Sequence, residues 1–235
     1  MPAVDAYDSQ PPICLLRQII DFGIIFNRDH LEEQYKLLDI MFATCMNPKS
    51  GSYHVDLRMT RHLTQIGLGI PEKEILLTIY QQVLGAHFAN FDNKSQDLAM
   101  RMVSATIKVF NDIAHSPQFM PTAMKFHYQF NMRDCAKIIQ NLMLAQPSVY
   151  KGNPLGLARM WAHECNRVFL DRLLFDEDKN AYMNFMRNGL KELQDYKEEL
   201  VFEEPLIFTS FIAICKGHEP AYKPVTEMEE LSQVL

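Results

Sequence analysis

The sequence has no surplus of positive charge and no long apolar run. Its 235 residues include 23 Lys and Arg against 29 Asp and Glu, for a formal net charge of −6. Because no basic tail is available to neutralise a phosphate backbone, we expect no nucleic-acid partner. The longest apolar stretch, 206–215, is too short to cross a bilayer, and residues 1–5 lack the basic start of a secretory signal. We therefore expect no membrane partner.

Cysteine is scarce and is not arranged in pairs. The five cysteines are odd in number, lie far apart and fall mostly inside apolar runs, as reduced core thiols do. They are Cys14, Cys45, Cys135, Cys165 and Cys215. This usage favours a cytosolic compartment.

Several motifs that carry chemistry are also absent. The sequence contains no G-x-x-x-x-G-K-[ST] phosphate loop and no G-x-G-x-x-G turn, so it cannot form a complete nucleotide site by itself. His163 and Glu164 begin a zinc-helix pattern, but Arg167 stands where the second histidine belongs, and no Cys-x-x-Cys pair occurs. We therefore expect no metal site. A catalytic triad whose members are distant in the sequence is still an alternative, although no G-x-S-x-G elbow supports one.

Apolar residues make up 48% of the chain, enough to fill the core of one large domain or two small ones. Residues 36–45 are nearly continuous in apolar character, which is typical of a strand covered on both faces in a parallel sheet. A short helix around 57–63 and a second short strand at 64–69 are predicted next. Because a parallel strand needs neighbours, we expect an incomplete sheet whose partner strands lie upstream.

Helical periodicity dominates the remainder. Pro11 and Pro12 open a helix that Gly23 ends. Asn131, followed three residues later by Asp134, has the pattern of a capping box. Further helices are predicted at 71–88, 93–115, 155–175 and 176–196, with a last one beginning near Thr226. Asn153 and Pro154 give the start signal of the helix at 155–175. The helix at 93–115 carries five apolar residues on one face, Leu98, Met102, Ala105, Val109 and Ile113. Residues 205–215 could form a strand or a helix.

Three stretches resemble one known family. Residues 8–21, DSQPPICLLRQIID, resemble the segment just after the Walker B strand in the third AAA+ module of dynein heavy chains. Residues 126–134, FHYQFNMRD, and 161–173, WAHECNRVFLDRL, are similar to the lid of the same module, particularly in axonemal dyneins. Residues 222–235 also resemble the connector to the fourth module. The resemblance therefore covers nearly the whole chain.

The resemblance implies an α/β part followed by an all-α part: a partial AAA+ large subdomain with an incomplete parallel sheet, then a helical lid. Residues 1–120 would belong to the large subdomain, 121–200 to the lid and 201–235 to the connector. The parent protein would be an ATP-driven microtubule motor of the cytoplasm, cytoskeleton and ciliary axoneme. Its partners would be neighbouring AAA+ modules, microtubules and other dynein subunits.

Nucleotide is the only cofactor that the resemblance implies. The complete module would hold ATP or ADP with Mg. The fragment lacks Walker A and Walker B, so by itself it should need no cofactor and hydrolyse no ATP.

The resemblance also assigns three site residues. Arg133 matches the sensor II arginine of the lid, whose guanidinium holds fixed donors against phosphate oxygens; the alternative is a surface ion pair with Asp134. Arg61 matches an arginine finger that acts in trans on the preceding module's nucleotide; the alternatives are a solvated residue and the use of Arg58 instead. Asn47 matches sensor I, which orients the attacking water, unless it serves only the turn.

Other residues of the lid pattern have structural interpretations. His163 and Glu164 are interpreted as polar contacts between lid helices, and Trp161 and Phe169 as core anchors eight residues apart on one helical face. A rival function also stays open, a non-enzymatic helical interaction or scaffold protein with a lid-like bundle. Dependence on Mg-ATP would separate the two functions.

Overall fold

The computed structural model describes residues 5–46, 57–69, 71–194, 196–215, 217, 219–225 and 228–234. The chain divides into two compact units, Met1–Ile70 and Pro71–Leu235. The longer helices are α1 (Pro11–Phe22), α3 (Lys73–Phe88), α4 (Asn93–His115), α5 (Met132–Leu142), α7 (Pro154–Val168) and α8 (Asp176–Leu193). The shorter helices are α2 (Leu57–Thr60), α6 (Pro147–Tyr150), α9 (Glu198–Val201), α10 (Phe211–Cys215) and α11 (Met228–Val234). The strands are β1 (Ile24–Phe26), β2 (Gln34–Lys36), β3 (Phe208–Thr209) and β4 (Lys223–Pro224).

The first unit begins with α1 and a β-hairpin. Proline occupies the start of α1, and the helix ends at Gly23, whose φ of 64° is left-handed and whose N–H donates to the Ile19 carbonyl. Glycine suits this position because it has no Cβ to clash in the left-handed region. β1 then pairs antiparallel with β2, with Ile24 opposite Lys36. The predicted helix and its end at Gly23 are confirmed.

The structure corrects the parallel strand that was predicted over residues 36–45. Only Lys36 lies in a strand, and that strand belongs to the antiparallel hairpin. Residues 37–46 have no regular structure, and nearly all of their side chains are exposed, Met41 by 90%. The strand predicted at 64–69 is also not formed. A central parallel strand needs backbone partners on both edges, and both sheets within the described ranges are two-stranded and antiparallel.

The second unit is a helical bundle around one apolar core. α4 lies at its centre and packs against α3, α7 and α8. The predicted buried face of α4 is confirmed, and its members are Leu98, Met102, Ala105, Val109 and Ile113. Trp161 and Phe169 are also fully buried, as predicted. The Trp161 Nε1–H donates to Thr106 Oγ1 at 2.9 Å, so this buried indole has its hydrogen-bond partner.

The predicted helix over 155–175 is interrupted. α7 ends at Val168, a 3-10 turn follows at Leu170–Arg172, and α8 begins at Asp176. Asp176, Glu177 and Asp178 occupy the first turn of α8, where carboxylates favour the positive end of the helix dipole.

The described residues of 205–225 form a short hairpin that packs on the bundle, and a helix lies between its two strands. β3 pairs antiparallel with β4, and α10 follows β3. Residues 205–215, which were predicted to form either a strand or a helix, therefore contain one of each. The Tyr150 hydroxyl donates to the Tyr222 carbonyl at 2.7 Å, and the His163 ring lies 3.0 Å from the Leu206 carbonyl. These contacts join the hairpin to α6 and α7.

All five cysteines are free thiols, but only Cys135 and Cys165 are buried. Burial raises the pKa of the Cys135 thiol to about 12 and that of Cys165 well above its ordinary value. Cys45 and Cys215 are exposed, so the expectation of core thiols holds only in part. No helix in the described part of the chain is long and apolar enough to span a membrane.

The close approach of α8 to α4 at Gly189 leads to a stability prediction. A Cβ at Gly189 would lie 2.5 Å from Val109 Cγ2 and 3.7 Å from Trp161 Cη2. We expect Gly189→Ala to lower the free energy of unfolding by about 1–3 kcal/mol through overpacking, although alanine is the better helix former. Urea denaturation of the chain measures the change.

Gly85→Ala in α3 is the matched control. The nearest atom to a Cβ at Gly85 is the flexible Met100 Cε, at 3.2 Å, so this variant should be neutral or more stable by up to about 1 kcal/mol. Equal destabilisation by the two variants would contradict the close packing at Gly189.

Candidate functional site

Arg133 lies at the beginning of α5, with its side chain exposed. Its backbone N–H donates to Asn131 Oδ1 at 2.9 Å, while Asp134 Oδ2 accepts the Asn131 N–H at 3.0 Å. The predicted capping box is therefore confirmed. Within the described ranges, the Arg133 guanidinium makes no hydrogen bond or ion pair. An unengaged cation beside a helix N-terminus attracts anions.

Asp134 is not the partner of Arg133 that the sequence allowed. Its side chain is 2% exposed and is held by Arg172 Nη2 at 2.8 Å and by Lys137 Nζ at 3.2 Å. Burial by itself raises the pKa of Asp134, but the Asn131 N–H, Arg172 and Lys137 outweigh it and hold this pKa below its ordinary value. Because other groups satisfy Asp134, the adjacent Arg133 is left without a competing carboxylate.

Arg172 connects the two lid stretches that carry the resemblance. Besides its pair with Asp134, Arg172 Nη1 donates to the Gln129 carbonyl at 3.3 Å, and its guanidinium lies 5.2 Å from the centre of the Phe130 ring. Residues 126–134 are thus held against the turn that follows α7. This contact sets the direction in which α5 begins, and with it the position of Arg133.

A second buried carboxylate, Asp178, anchors the same stretch from α8. It accepts hydrogen bonds from the Tyr128 hydroxyl at 3.0 Å and Gln118 Nε2 at 2.8 Å, and Lys125 Nζ lies 2.7 Å away. Burial raises the pKa of Asp178, but these three donors outweigh it and lower this pKa. This cluster could not be predicted from the sequence because its members are up to 60 residues apart, and its one local signal is the acidic first turn of α8.

Glu164 is a third buried carboxylate, between α5 and α7. It accepts from Asn141 Nδ2 at 2.7 Å and from Arg167 Nε at 3.0 Å, and the Tyr222 hydroxyl also donates to it. Burial and the Glu164 carboxylate raise the pKa of the Tyr222 hydroxyl. Glu164 therefore makes the polar contact between lid helices that was predicted for it. In the part of the chain that the structure describes, no cluster of His, Cys, Asp and Glu could hold a metal.

Arg61 lies just after α2 in the first unit and is 60% exposed. Its Nη2 donates to the two carboxylate oxygens of Asp21 at 2.9 and 3.2 Å, and its Nε donates to His62 Nε2 at 3.0 Å. Arg58 is exposed on α2, so it stays an alternative for the predicted role. Asn47 lies outside the described residues. Arg61 and Arg133 belong to different compact units.

Two family models match the chain. Residues 102–203 match the AAA+ lid domain, and residues 1–71 match the P-loop containing dynein motor region. Among curated proteins, the chain is 34% identical to the flagellar outer-arm dynein beta chain of Chlamydomonas reinhardtii and 35% identical to the ciliary dynein beta chain of Tripneustes gratilla. It is also 35% identical to human dynein axonemal heavy chain 17. Each match covers 100% of this chain but only 5% of the relative's length.

The helical second unit and the two family matches define part of an AAA+ module that carries its helical lid. The predicted fold class, a partial AAA+ unit followed by a helical lid, is confirmed in this form. The chain belongs to the dynein heavy-chain family and corresponds to a piece of the motor region.

The environment of Asp134 leads to a prediction about stability and pH. Because its pKa is lowered in the folded chain, the ionised carboxylate stabilises the fold above the pKa of the unfolded chain. Asp134→Asn should lower the free energy of unfolding by about 2–3 kcal/mol near pH 7. The difference from wild type should shrink as the pH falls below about 4, where wild-type Asp134 itself takes up a proton. Urea denaturation across this pH range tests both statements.

The control is Glu198→Gln, the same chemical change at an exposed ion pair with Arg187. Exposed pairs contribute little, so we expect a change within about 0.5 kcal/mol at every pH. A pH-independent loss in Asp134→Asn would show that shape and not charge determines the effect at Asp134.

Proposed function

We propose that the chain is part of a regulatory AAA+ module, the third, in the ATP-driven ring of a dynein heavy chain. Residues 1–120 form the end of its large subdomain, residues 121–200 its lid and residues 201–235 the connector to the next module. The parent motor moves along microtubules, in the ciliary or flagellar axoneme. The names of the similar proteins, which are flagellar, ciliary and axonemal, support this assignment.

Arg133 is the proposed sensor II residue, acting in cis on the nucleotide of its own module. The observation that carries this role is the Arg133 guanidinium at the start of α5, which has no hydrogen-bond or ion-pair partner among the described residues and lies next to an Asp134 that pairs elsewhere. A guanidinium in this state can give its donors to phosphate oxygens without first breaking an ion pair. The position of the lid would then change with the state of the bound nucleotide, because the Asp134–Arg172 pair joins α5 to the turn after α7.

Arg61 is the proposed arginine finger that acts in trans on the preceding module's nucleotide, and Asn47 the proposed sensor I residue. The nucleotide is ATP or ADP with Mg, held in the complete module and not by this fragment alone. Its phosphates would be bound mainly by a phosphate loop, which is not part of these 235 residues. The parent motor is an ATPase, with neighbouring modules, microtubules and other dynein subunits as partners.

An immunoblot of source cells with an antibody against this chain tests the assignment to a heavy chain. Since the chain spans only 5% of its relatives' length, we expect a band of several hundred kilodaltons. A single band at 27.3 kDa would contradict the assignment and favour the scaffold function.

Substitution of Arg133 tests the sensor II role. In a full motor whose other modules cannot bind nucleotide, Arg133→Ala should weaken ATP binding by about 10- to 100-fold, since a charge-assisted hydrogen bond to phosphate is lost. Arg133→Lys should restore only part of the affinity, because lysine lacks the planar fork. Titration with a fluorescent ATP analogue measures the change.

Lys191→Ala is the control for Arg133→Ala. Lys191 lies in the last turn of α8 and bonds only to Asn188 among the described residues, so its loss should leave nucleotide affinity unchanged. Neither variant should change the free energy of unfolding by more than about 0.5 kcal/mol, because both side chains lie on the surface. Unchanged affinity in Arg133→Ala would rule out the sensor role.

A further inference from the structure

We propose that Asp21 is a positioning residue that orients Arg61, an inference that rests on the proposed role of Arg61 as an arginine finger. Asp21 lies in the last turn of α1, forty residues before Arg61 in the chain. Its two carboxylate oxygens lie 2.9 and 3.2 Å from Arg61 Nη2. α1 and α2 pack together in the first unit, so the helix that carries Asp21 also supports the turn that presents Arg61.

The contacts of Arg61 use one edge of its guanidinium and leave another open. Nε and Nη2 point to the same side of the planar group, and both are engaged, Nε with His62 Nε2 at 3.0 Å and Nη2 with Asp21. Nη1 has no hydrogen-bond partner in the described part of the chain. The guanidinium is therefore held along its Nε–Nη2 edge, while the donors of Nη1 stay available to an acceptor from outside the unit.

The exposure of the two side chains agrees with this division of roles. The Asp21 side chain is 25% exposed and the Arg61 side chain is 60% exposed. The carboxylate is therefore the less accessible partner, and the guanidinium is the more accessible one. An ion pair this exposed contributes little to folding stability. Its main effect is to restrict a long side chain that has many rotamers. Restriction before the nucleotide arrives is what an arginine finger needs, because a displaced catalytic group loses much of its effect.

His62 completes the cluster. Its Nε2 lies 2.9 Å from Asp21 Oδ1 as well as 3.0 Å from Arg61 Nε. A neutral ring with its proton on Nδ1 accepts the Arg61 Nε–H, whereas a ring with a proton on Nε2 donates to Asp21 instead. In the first state His62 holds Arg61 directly, and in the second it holds the carboxylate that binds Arg61.

A double-mutant experiment tests the inference. The complete heavy-chain motor would carry Asp21→Asn, Arg61→Ala or both, and ATP turnover would be measured with hydrolysis restricted to the preceding module. We expect Arg61→Ala to lower kcat about 1,000-fold and Asp21→Asn about 10- to 100-fold, with KM nearly unchanged. The double variant should equal Arg61→Ala alone, because Asp21 acts only through Arg61.

The possible outcomes separate this inference from the proposed function. Unchanged turnover in Arg61→Ala, or a loss in Arg58→Ala instead, overturns the arginine-finger assignment and the role of Asp21 with it. A loss in Arg61→Ala with none in Asp21→Asn overturns only the positioning role. Losses that multiply in the double variant also overturn it, since they would mean that Asp21 acts independently of Arg61. Glu32→Gln, at an exposed acid of the same unit, is the control and should behave as wild type.

Discussion

The ion pair between Asp134 and Arg172 connects the start of α5 to the turn after α7, two places that are far apart in the sequence. Asp134 completes the capping box at the start of α5, while Arg172 approaches it from the turn after α7 and also contacts Gln129 and Phe130. One carboxylate therefore caps the start of a helix and also holds that helix against the rest of the lid. An ionised group that is buried to this extent is stable only with several donors, and Asn131, Lys137 and Arg172 supply them. The exposed position of Arg133 follows from this arrangement.

The two units differ in how they use apolar side chains. The second unit buries its apolar faces in its own core, with Trp161 against α4 and Gly189 allowing α8 to approach closely. In the first unit, Met59 is the only hydrophobic side chain among the described residues that is buried, and Leu38 and Met41 are largely exposed. An apolar segment of this kind gains stability only where other elements cover it. The candidate site on the first unit accordingly depends on polar contacts, those of Arg61 with Asp21 and His62.

Local signals predicted the helices well, because a cap acts within one turn of the chain. Gly23 ends α1, Asn131 and Asp134 begin α5, and Asn153 caps α7 by accepting the Gly156 N–H. The strand predicted over 36–45 was wrong for a physical reason. An apolar composition shows that a segment can be buried, but it does not show which other elements are present to cover it. For the proposed site, the resemblance suggested Arg61 and Arg133, but no local pattern could pair Arg61 with Asp21 or Lys125 with Asp178.

The start and end of most helices, the α4 residues that face the core and the family of the chain could all be deduced from the amino-acid sequence, because these depend on neighbouring residues in the chain. The pairing of charges depends instead on the tertiary structure. Asp134 lies next to Arg133 in sequence yet pairs with Arg172, and Arg61 pairs with a residue forty positions earlier. A buried or partly buried carboxylate accepts hydrogen bonds from the donors that lie next to it in the folded chain. Packing places residues there that are distant in sequence.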